Sequence, residues 1–308
     1  MEYLLPRACT HVKVPPLKIQ GIKTKLVPFI MKNIMWDGSG VWIEPFMGSG
    51  VVGFNVTPKK AIFSDSNPHI IRFYKDIQSG SLNSDLVRDF LEEEAPKLAE
   101  TPPDKRSYYY TVRSRFNSNP NSLDFIFLQR SNFNGLMRFG PNGYNVPFGR
   151  KPDRFKPSLI TKIVNQVKWV ESLLKGKDWK FINCDWRAAI SAVKKEDFIY
   201  LDPPYIGRNA DYFNSWTEEE AAVLAESIQK LSCGFALSMW LKDKYRANEY
   251  INCWDGDIIT NEHYYFVGGK ELNRKAIIES IVVKRGFVAR KVKTKPCPSG
   301  QRRARRTP

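Results

Sequence analysis

Val41-Trp42-Ile43-Glu44-Pro45-Phe46-Met47-Gly48-Ser49-Gly50-Val51-Val52-Gly53 begins as a short apolar run and breaks into a glycine-rich turn. The residues on either side of it decide the fold class. Upstream, Leu26, Phe29, Ile30 and Ile34 fall at helical spacing between Ile22 and Met35, and Gly38-Ser39-Gly40 is a turn. Downstream, Gly50 to Phe54 reads as a helix start, and Ala61-Ile62-Phe63-Ser64 is a second short strand that stops at Asp65. Strand, glycine turn, helix, strand, acid is the opening of an α/β nucleotide-binding domain. Glycines at a strand end turn tightly and let a ligand approach the backbone without meeting a Cβ. Gly48, Gly50 and Gly53 fit GxGxxG, and Asp65, fifteen residues past Gly50, can accept hydrogen bonds from ribose hydroxyls. Alone, this pattern suits NAD, FAD or S-adenosyl-L-methionine, and it suits a purely structural glycine turn as well.

The α/β rhythm pauses and then returns. From about Ser79 to Lys156 the chain changes character. A charged helix over Leu86 to Leu98 ends before Pro102-Pro103, and Tyr108-Tyr109-Tyr110 follow among arginines. A loop-rich stretch runs from Phe133 to Arg150, where Gly140-Pro141-Asn142-Gly143 predicts the tip of a β-hairpin. This region reads as an insertion between two halves of one α/β domain. After Pro157 the spacing predicts a helix over Ser158 to Leu174, a strand over Trp179 to Asn183 before Asp185, and helical residues from Ala188 to Val193. A strand Phe198-Ile199-Tyr200-Leu201 comes next, then a helix capped by Thr217 with an acidic first turn, a strand from Gly234 to Met239, and a last strand over Ile277 to Val283.

Composition narrows the partners. The chain has 308 residues, 42% hydrophobic and 26% charged, which is the balance of an ordered globular protein. No apolar run approaches the roughly 18 residues that span a bilayer. Residues 1–16 lack the apolar stretch of a secretory signal. A cytoplasmic location is therefore expected, with no membrane partner. The formal charge is +16, and ten of the basic residues lie between Lys284 and Arg306, a stretch with no acid. Such a balance favours polyanions and gives salt-dependent affinity. The five cysteines form no CxxC pair and the three histidines are dispersed, so neither a metal site nor a disulfide framework is expected.

The second constellation is Asp202-Pro203-Pro204-Tyr205, directly after an apolar strand. Its chemistry suits an amine on a planar ring. Asp202 can accept a hydrogen bond from the amino group, the prolines hold a rigid extended turn that leaves a carbonyl free as a second acceptor, and Tyr205 offers a flat face for stacking. A base must leave its duplex stack to enter such a pocket, at a cost of a few kcal/mol.

Together with Glu44-Pro45-Phe46-Met47-Gly48-Ser49-Gly50 about 150 residues upstream, this motif resembles the DNA adenine-N6 methyltransferases of the Dam-like alpha class, also called the D12 class. The order of cofactor motif, long insertion and catalytic motif is that of the class. The resemblance implies a Rossmann-like seven-stranded methyltransferase sheet formed by residues 1–76 and 157–283. It also implies a mainly helical target-recognition domain at 77–156 carrying a β-hairpin, and a basic tail at 284–308. It implies S-adenosyl-L-methionine as cofactor, double-stranded DNA as substrate, and an adenine flipped into a pocket made by Asp202, Pro203, Pro204 and Tyr205. A monomer is expected.

Further segments extend the resemblance. Lys18-Ile19-Gln20-Gly21-Ile22-Lys23 is similar to the family's KWxGGK, which implies Lys23 beside the cofactor and Lys18 at the DNA. Ile19 and Ile22 depart from that pattern. Asp65 with Asn67 matches the ribose-binding segment, Asp185 resembles the residue that meets the cofactor's adenine, and Glu44, Pro45, Phe46, Gly48 and Gly50 line the same cofactor site, with Asp202 at its edge. Arg130, Asn134, Leu136, Arg138 and Arg150 lie in a stretch that looks like the family's FNGLxR…NVPFGR hairpin, which enters DNA. Arg138 is suited to bidentate contact with a guanine edge. The tip, Phe139 to Tyr144, differs from that of the GATC-recognising enzymes. Leu237-Ser238-Met239-Trp240 and Lys244 to Glu249 look more like the methyltransferases of type IIS restriction systems, the FokI group, which implies a restriction endonuclease acting on the same GGATG-like site. The alternatives are a GATC-specific Dam-type housekeeping enzyme and an RNA methyltransferase acting on an exocyclic amine.

Overall fold

The computed structural model describes residues 3–205, 216–242, 248, 251, 253–266 and 274–289. Most of Lys244 to Glu249 and the basic tail from residue 290 onward lie outside the described residues. The glycine turn is held between two strands, β1 (Trp42–Glu44) and β2 (Lys60–Asp65), with α1 (Val27–Asn33) before it and α2 (Val51–Val56) after it. Then come α3 (Pro68–Ser79), α4 (Ser84–Glu100), α5 (Tyr108–Ser118) and α6 (Ser122–Ser131), followed by a hairpin of two-residue strands, β3 (Phe139–Gly140) and β4 (Gly143–Tyr144). The α/β pattern resumes through α7 (Pro157–Leu174), β5 (Asp178–Asn183), α8 (Trp186–Ala189), β6 (Phe198–Leu201), α9 (Glu218–Gln229), β7 (Gly234–Lys242), β8 (Asp257–Phe266) and β9 (Arg274–Val283).

Seven strands form one sheet in the order β5-β2-β1-β6-β7-β9-β8. The first five are mutually parallel, and β9 runs antiparallel to both β7 and β8. This is an α/β fold on a mostly parallel seven-stranded sheet, as the sequence pattern implies. Strand order reverses direction around β1 and β6, so the carboxyl ends of these two neighbours open onto a crevice, the place where such sheets bind ligands.

Two expected elements differ. The helix expected over Ala188 to Val193 is only the four-residue α8, one turn earlier, because Asp185 caps it at Arg187 N–H and Ile190 already leaves helical geometry. Strand β8 was not foreseen. It is the edge strand of the sheet, and Asp257-Ile258-Ile259-Thr260-Asn261 lacks the alternation that a half-buried strand prints in its sequence; Ile258 is 44% exposed. The hairpin tip falls at Pro141-Asn142 as expected, and Asn117 ties its base by accepting from Tyr144 N–H and donating to Tyr144 O.

The aromatic content is concentrated under the glycine turn. Phe54 packs against Phe63, Tyr74, Trp179 and Phe181, while Trp42 stacks on Phe198 at 5.4 Å. One continuous apolar core runs from this sheet face through α3 and α7 into α4, α5 and α6, joining Phe63 and Tyr74 to Phe116, Phe125 and Phe127. Each fully buried aromatic or branched side chain contributes about 1.5–3 kcal/mol, so the helices between α3 and α7 are tied to the sheet by its own core. Among the described residues no helix is long and apolar enough to cross a membrane.

Candidate active site

The carboxyl end of β6 delivers Asp202, and the segment before α1 delivers Lys23. The ammonium lies 2.8 Å from both carboxylate oxygens, donates to Oδ2, and donates also to Gly21 O at 2.9 Å. Oδ1 accepts no aligned hydrogen bond among the described residues. The same ammonium stands 4.9 Å from the centre of the Tyr205 ring. Lys23 is 7% exposed, so the pair sits where water screens little. Burial pushes the Asp202 carboxyl up, and the neighbouring Lys23 only partly offsets it. The Lys23 ammonium is in turn held well above its usual value: burial works against its charge, but Asp202 outweighs it.

Strand β1 lies beside β6 and ends on Glu44, which is 2% exposed and accepts a hydrogen bond from Trp42 Nε1 at 2.8 Å. Burial raises its carboxyl to about 8, with Trp42 and the Gly53 N–H opposing and Asp202 adding to the rise. Glu44 is therefore mostly protonated at neutral pH. Beneath this group the Tyr200 and Ser238 hydroxyls hydrogen-bond to each other, joining β6 to β7.

On the other side of β1 the chain turns through Gly48 and Gly50 at φ 48° and 72°, the left-handed region that favours glycine. Tyr74 OH props the turn by donating to Ser49 O at 2.7 Å. Asp65, at the end of β2, accepts from Gly48 N–H at 3.0 Å and Asn67 N–H at 2.9 Å, and burial lifts its carboxyl to about 6 despite those bonds. Asn67 caps α3 through its Oδ1, but its buried Nδ2 finds no acceptor among the described residues. Phe46 sets its face against the edge of Trp216 at 5.4 Å. A polar ligand that reaches the turn thus meets an acceptor, an unspent donor and an aromatic wall.

The remaining sequence-predicted residues are placed less uniformly. Pro45 is buried behind the turn, and Pro203, Pro204 and Tyr205 line a pocket whose other wall carries Trp216, Met239 and Trp240. Asp185 lies past β5, one strand beyond Asp65, and is engaged locally: it caps α8 and pairs at 3.2 Å with Arg187, which also binds Glu220.

The turn after α6 is built by Asn132, whose amide donates to Leu136 O and Tyr144 OH and whose Oδ1 accepts from Gly135 N–H. This arrangement puts Asn134 at φ 55° and exposes Phe133, a large aromatic, at 48%. Gln20 N–H donates to Gly135 O at 3.0 Å, so the turn is stitched to the segment that carries both Lys18 and Lys23. Arg138 is braced on Asn145 through Nε at 2.7 Å, and Leu136 is half-buried below it. Arg150 is exposed at φ 53°. Arg130 is turned inward, donating to Pro16 O and Gln166; burial and then Arg154 bring its guanidinium down to about 10. Lys18 is lowered by burial, then by Arg154, Arg130 and Lys151. Sequence reasoning passed over Asn132 and Phe133. An aromatic inside a polar, glycine-bearing turn was the signal available for the second.

The comparisons with known proteins agree on the family. The type II methyltransferase M.MjaIII of Methanocaldococcus jannaschii is 31% identical over 265 residues, covering 79% of this chain and 88% of the relative. The DNA adenine methylase of Haemophilus influenzae is 29% identical, covering 70% of this chain and 75% of its own. The modification methylase StsI of Streptococcus sanguinis is 29% identical over 78% of this chain, which corresponds to only 37% of that longer protein. The family pattern for the D12 class N6 adenine-specific DNA methyltransferase matches residues 20–265, which take in Lys23, the glycine turn and Asp202 to Tyr205. The chain belongs to the D12 class of N6 adenine-specific DNA methyltransferases.

Proposed function

We propose that the protein uses S-adenosyl-L-methionine to methylate N6 of an adenine flipped out of a short duplex recognition sequence, as the modification enzyme of a type II restriction system. The observation that carries the reading is the grouping of Lys23, Asp202 and Tyr205 at the end of β6, one strand away from the Gly48–Gly50 turn and two from Asp65. Asp202 Oδ1, with no aligned donor of its own, is the acceptor for one N6–H, and a proline carbonyl takes the other. Tyr205 stacks the base. When bound, S-adenosyl-L-methionine would supply an electrophilic methyl on a sulfonium; the C–S bond would break as N6 takes the methyl, and the surplus N6 proton would pass to solvent. Asp65 and Asn67 suit its ribose, the glycine turn and Glu44 its amino-acid end, and Phe46 and Asp185 its adenine. Positioning and fixed charge provide most of the acceleration.

Residues 77–156 act as the target-recognition domain. Asn134, Leu136 and Arg138 face the site, Phe133 is the aromatic wedge that unstacks it, Lys18 and Arg150 serve the backbone, and Arg130, turned inward, braces the segment before Lys18 through Pro16 O. The names of M.MjaIII and StsI favour a restriction partner acting on the same sequence. Single-molecule sequencing of plasmid DNA treated with the purified protein and S-adenosyl-L-methionine tests this, beside an Asp202→Ala control. N6-methyladenine at one short motif, lost by at least roughly 10³-fold in the control, is the expected result. An asymmetric motif favours the type IIS group, and GATC favours the housekeeping reading. Methyl transfer to RNA alone would sink the proposal.

Cofactor affinity is expected to depend on pH through Asp65. Its carboxyl ionises near 6, and ribose hydroxyls donate far more strongly to the ionised form. Affinity should therefore be full above about pH 7 and weaken about tenfold per unit once pH falls below 6. Calorimetry of S-adenosyl-L-methionine binding between pH 5 and 8 checks this, and Asp65→Asn should bind weakly with little pH dependence. An Asp65→Asn variant that keeps the wild-type profile would rule the assignment out.

A further inference from the structure

His69 touches two parts of the molecule that lie 70 residues apart in sequence. It is the second residue of α3, just after Asp65 and Asn67, and its N–H donates to Asn67 Oδ1 at 3.0 Å. Its ring lies nearly flat against Phe139, the first residue of β3, with centroids 5.0 Å apart and planes 11° from parallel. Phe116 of α5 is 4.9 Å from the same ring and Phe125 of α6 is 5.9 Å from it. Burial, and then the charge of Arg72, brings the imidazole down to about 4. At neutral pH it therefore packs as a flat, uncharged face.

The hairpin needs such a platform. Its strands are two residues long, and an isolated two-stranded ribbon is marginal in water. The ladder pairs Phe139 with Tyr144 and Gly140 with Gly143, and Asn145 N–H extends it by donating to Arg138 O at 3.1 Å. Residues opposite one another share a face of a ribbon, and consecutive residues alternate between faces. Phe139 and Tyr144 therefore make one face, with ring centroids 5.3 Å apart. Arg138 and Asn145 make the other, joined by the 2.7 Å bond from Arg138 Nε. The aromatic face rests on two supports. Tyr144 is held by Asn117 and Asn132, and Phe139 lies on the His69 ring. Helix α3 also sends Tyr74 under the glycine turn, so the His69 contact sets the height of Arg138 relative to the sheet.

We propose that His69 is a specificity-determining residue that acts by positioning: through Phe139 it fixes the hairpin face that presents Arg138, and so sharpens the choice of target sequence without itself contacting a base. This rests on the reading that Arg138 meets a base edge of the target. An arginine reads guanine through two parallel hydrogen bonds, a geometry that tolerates displacements of only roughly 0.5 Å. A hairpin supported at Tyr144 alone lets the guanidinium swing out of that geometry. Contacts to phosphate, which ask for charge more than for angle, survive the same movement.

A double-mutant cycle on discrimination tests this. The quantity is kcat/KM for duplexes carrying the motif found by sequencing, against duplexes with each of its base pairs changed in turn. His69→Ala should lose roughly 5- to 20-fold of discrimination at the base pair where Arg138→Ala loses its own. Discrimination at the other pairs, and kcat on the intact motif, should stay within about twofold of wild type. Adding His69→Ala to Arg138→Ala should cost nothing further at that pair, because the histidine acts through the arginine. His69→Phe keeps a flat ring and should restore most of the loss. A His69→Ala enzyme that discriminates like wild type overturns the proposal. So does a loss spread evenly over all base pairs, a loss additive with that of Arg138→Ala, or one that only tracks unfolding in thermal denaturation. In each of those cases, a single weakened position in Arg138→Ala leaves the parent reading standing. An Arg138→Ala enzyme with wild-type discrimination would overturn both readings together.

Discussion

Lys23→Met is expected to cost about 3–5 kcal/mol of folding stability at neutral pH, the scale for removing one partner of a buried ion pair. The methionine fills much of the lysine's volume, so the loss comes from charge rather than from a cavity. Burial already pushes Asp202 up and only the ammonium pulls it down. With the ammonium gone, the carboxyl shifts further upward and the site escapes part of the penalty by taking a proton. The deficit should therefore be smallest in mild acid and grow as pH rises, until Asp202 is forced to ionise without a partner. Methyl transfer should fall by at least about 10²-fold at pH 7, since a protonated Asp202 is a poor acceptor. The acid limb of the rate profile should move to higher pH. Urea denaturation at pH 5.5 and 8.5 and a pH–rate profile measure both effects. A variant as stable as wild type at pH 8.5 would show that the pair is not the buried contact its 2.8 Å geometry indicates.

The second large effect belongs to Glu44 and concerns the protein without ligand. Its carboxyl has an ordinary value near 4.5 and is lifted to about 8 by burial. Below 4.5 the folded and unfolded chains both hold the proton. Between these values the unfolded chain releases it and the folded chain keeps it, so stability falls as pH rises, by about 1.4 kcal/mol per unit. Over the full window the loss is about 5 kcal/mol. Asp65, lifted from 3.8 to about 6, adds a loss of the same sign over a shorter window at lower pH. Glu44→Gln keeps an acceptor for Trp42 Nε1 and removes the titration. It should be close to wild type at pH 5 and clearly more stable at pH 8.5. Parallel slopes for the two proteins in thermal denaturation would contradict the burial argument.

The fold was readable where chemistry and periodicity coincide. Trp42 to Asp65 carries a strand, a glycine turn and an acid in sequence, and Phe198 to Tyr205 carries an apolar strand that ends on Asp202-Pro203-Pro204-Tyr205; both segments lie where their patterns place them. Strand β8 escaped notice because an edge strand faces solvent along much of its length and prints no alternation. The pairing of Lys23 with Asp202 joins residues 179 positions apart, and no local pattern carries that contact. Resemblance implied Lys23 beside the cofactor, and the structure adds that it pairs with the Asp202 carboxylate.

The apolar core that runs without a break from the sheet through α3 and α7 into α4 to α6 bears on how this enzyme can acquire new target sequences. Sequence preference cannot be transplanted by exchanging residues 77–156 as a cassette. The graft would bring foreign side chains against Phe73, Ile163 and Val167, which belong to the recipient's half of the core. On the proposed reading, new specificity is more readily gained at the exposed positions Phe133, Asn134, Pro141 and Asn142, where substitutions leave that shared interior intact. Chimeras that also exchange α3 and α7 should remain soluble where the simple exchange aggregates.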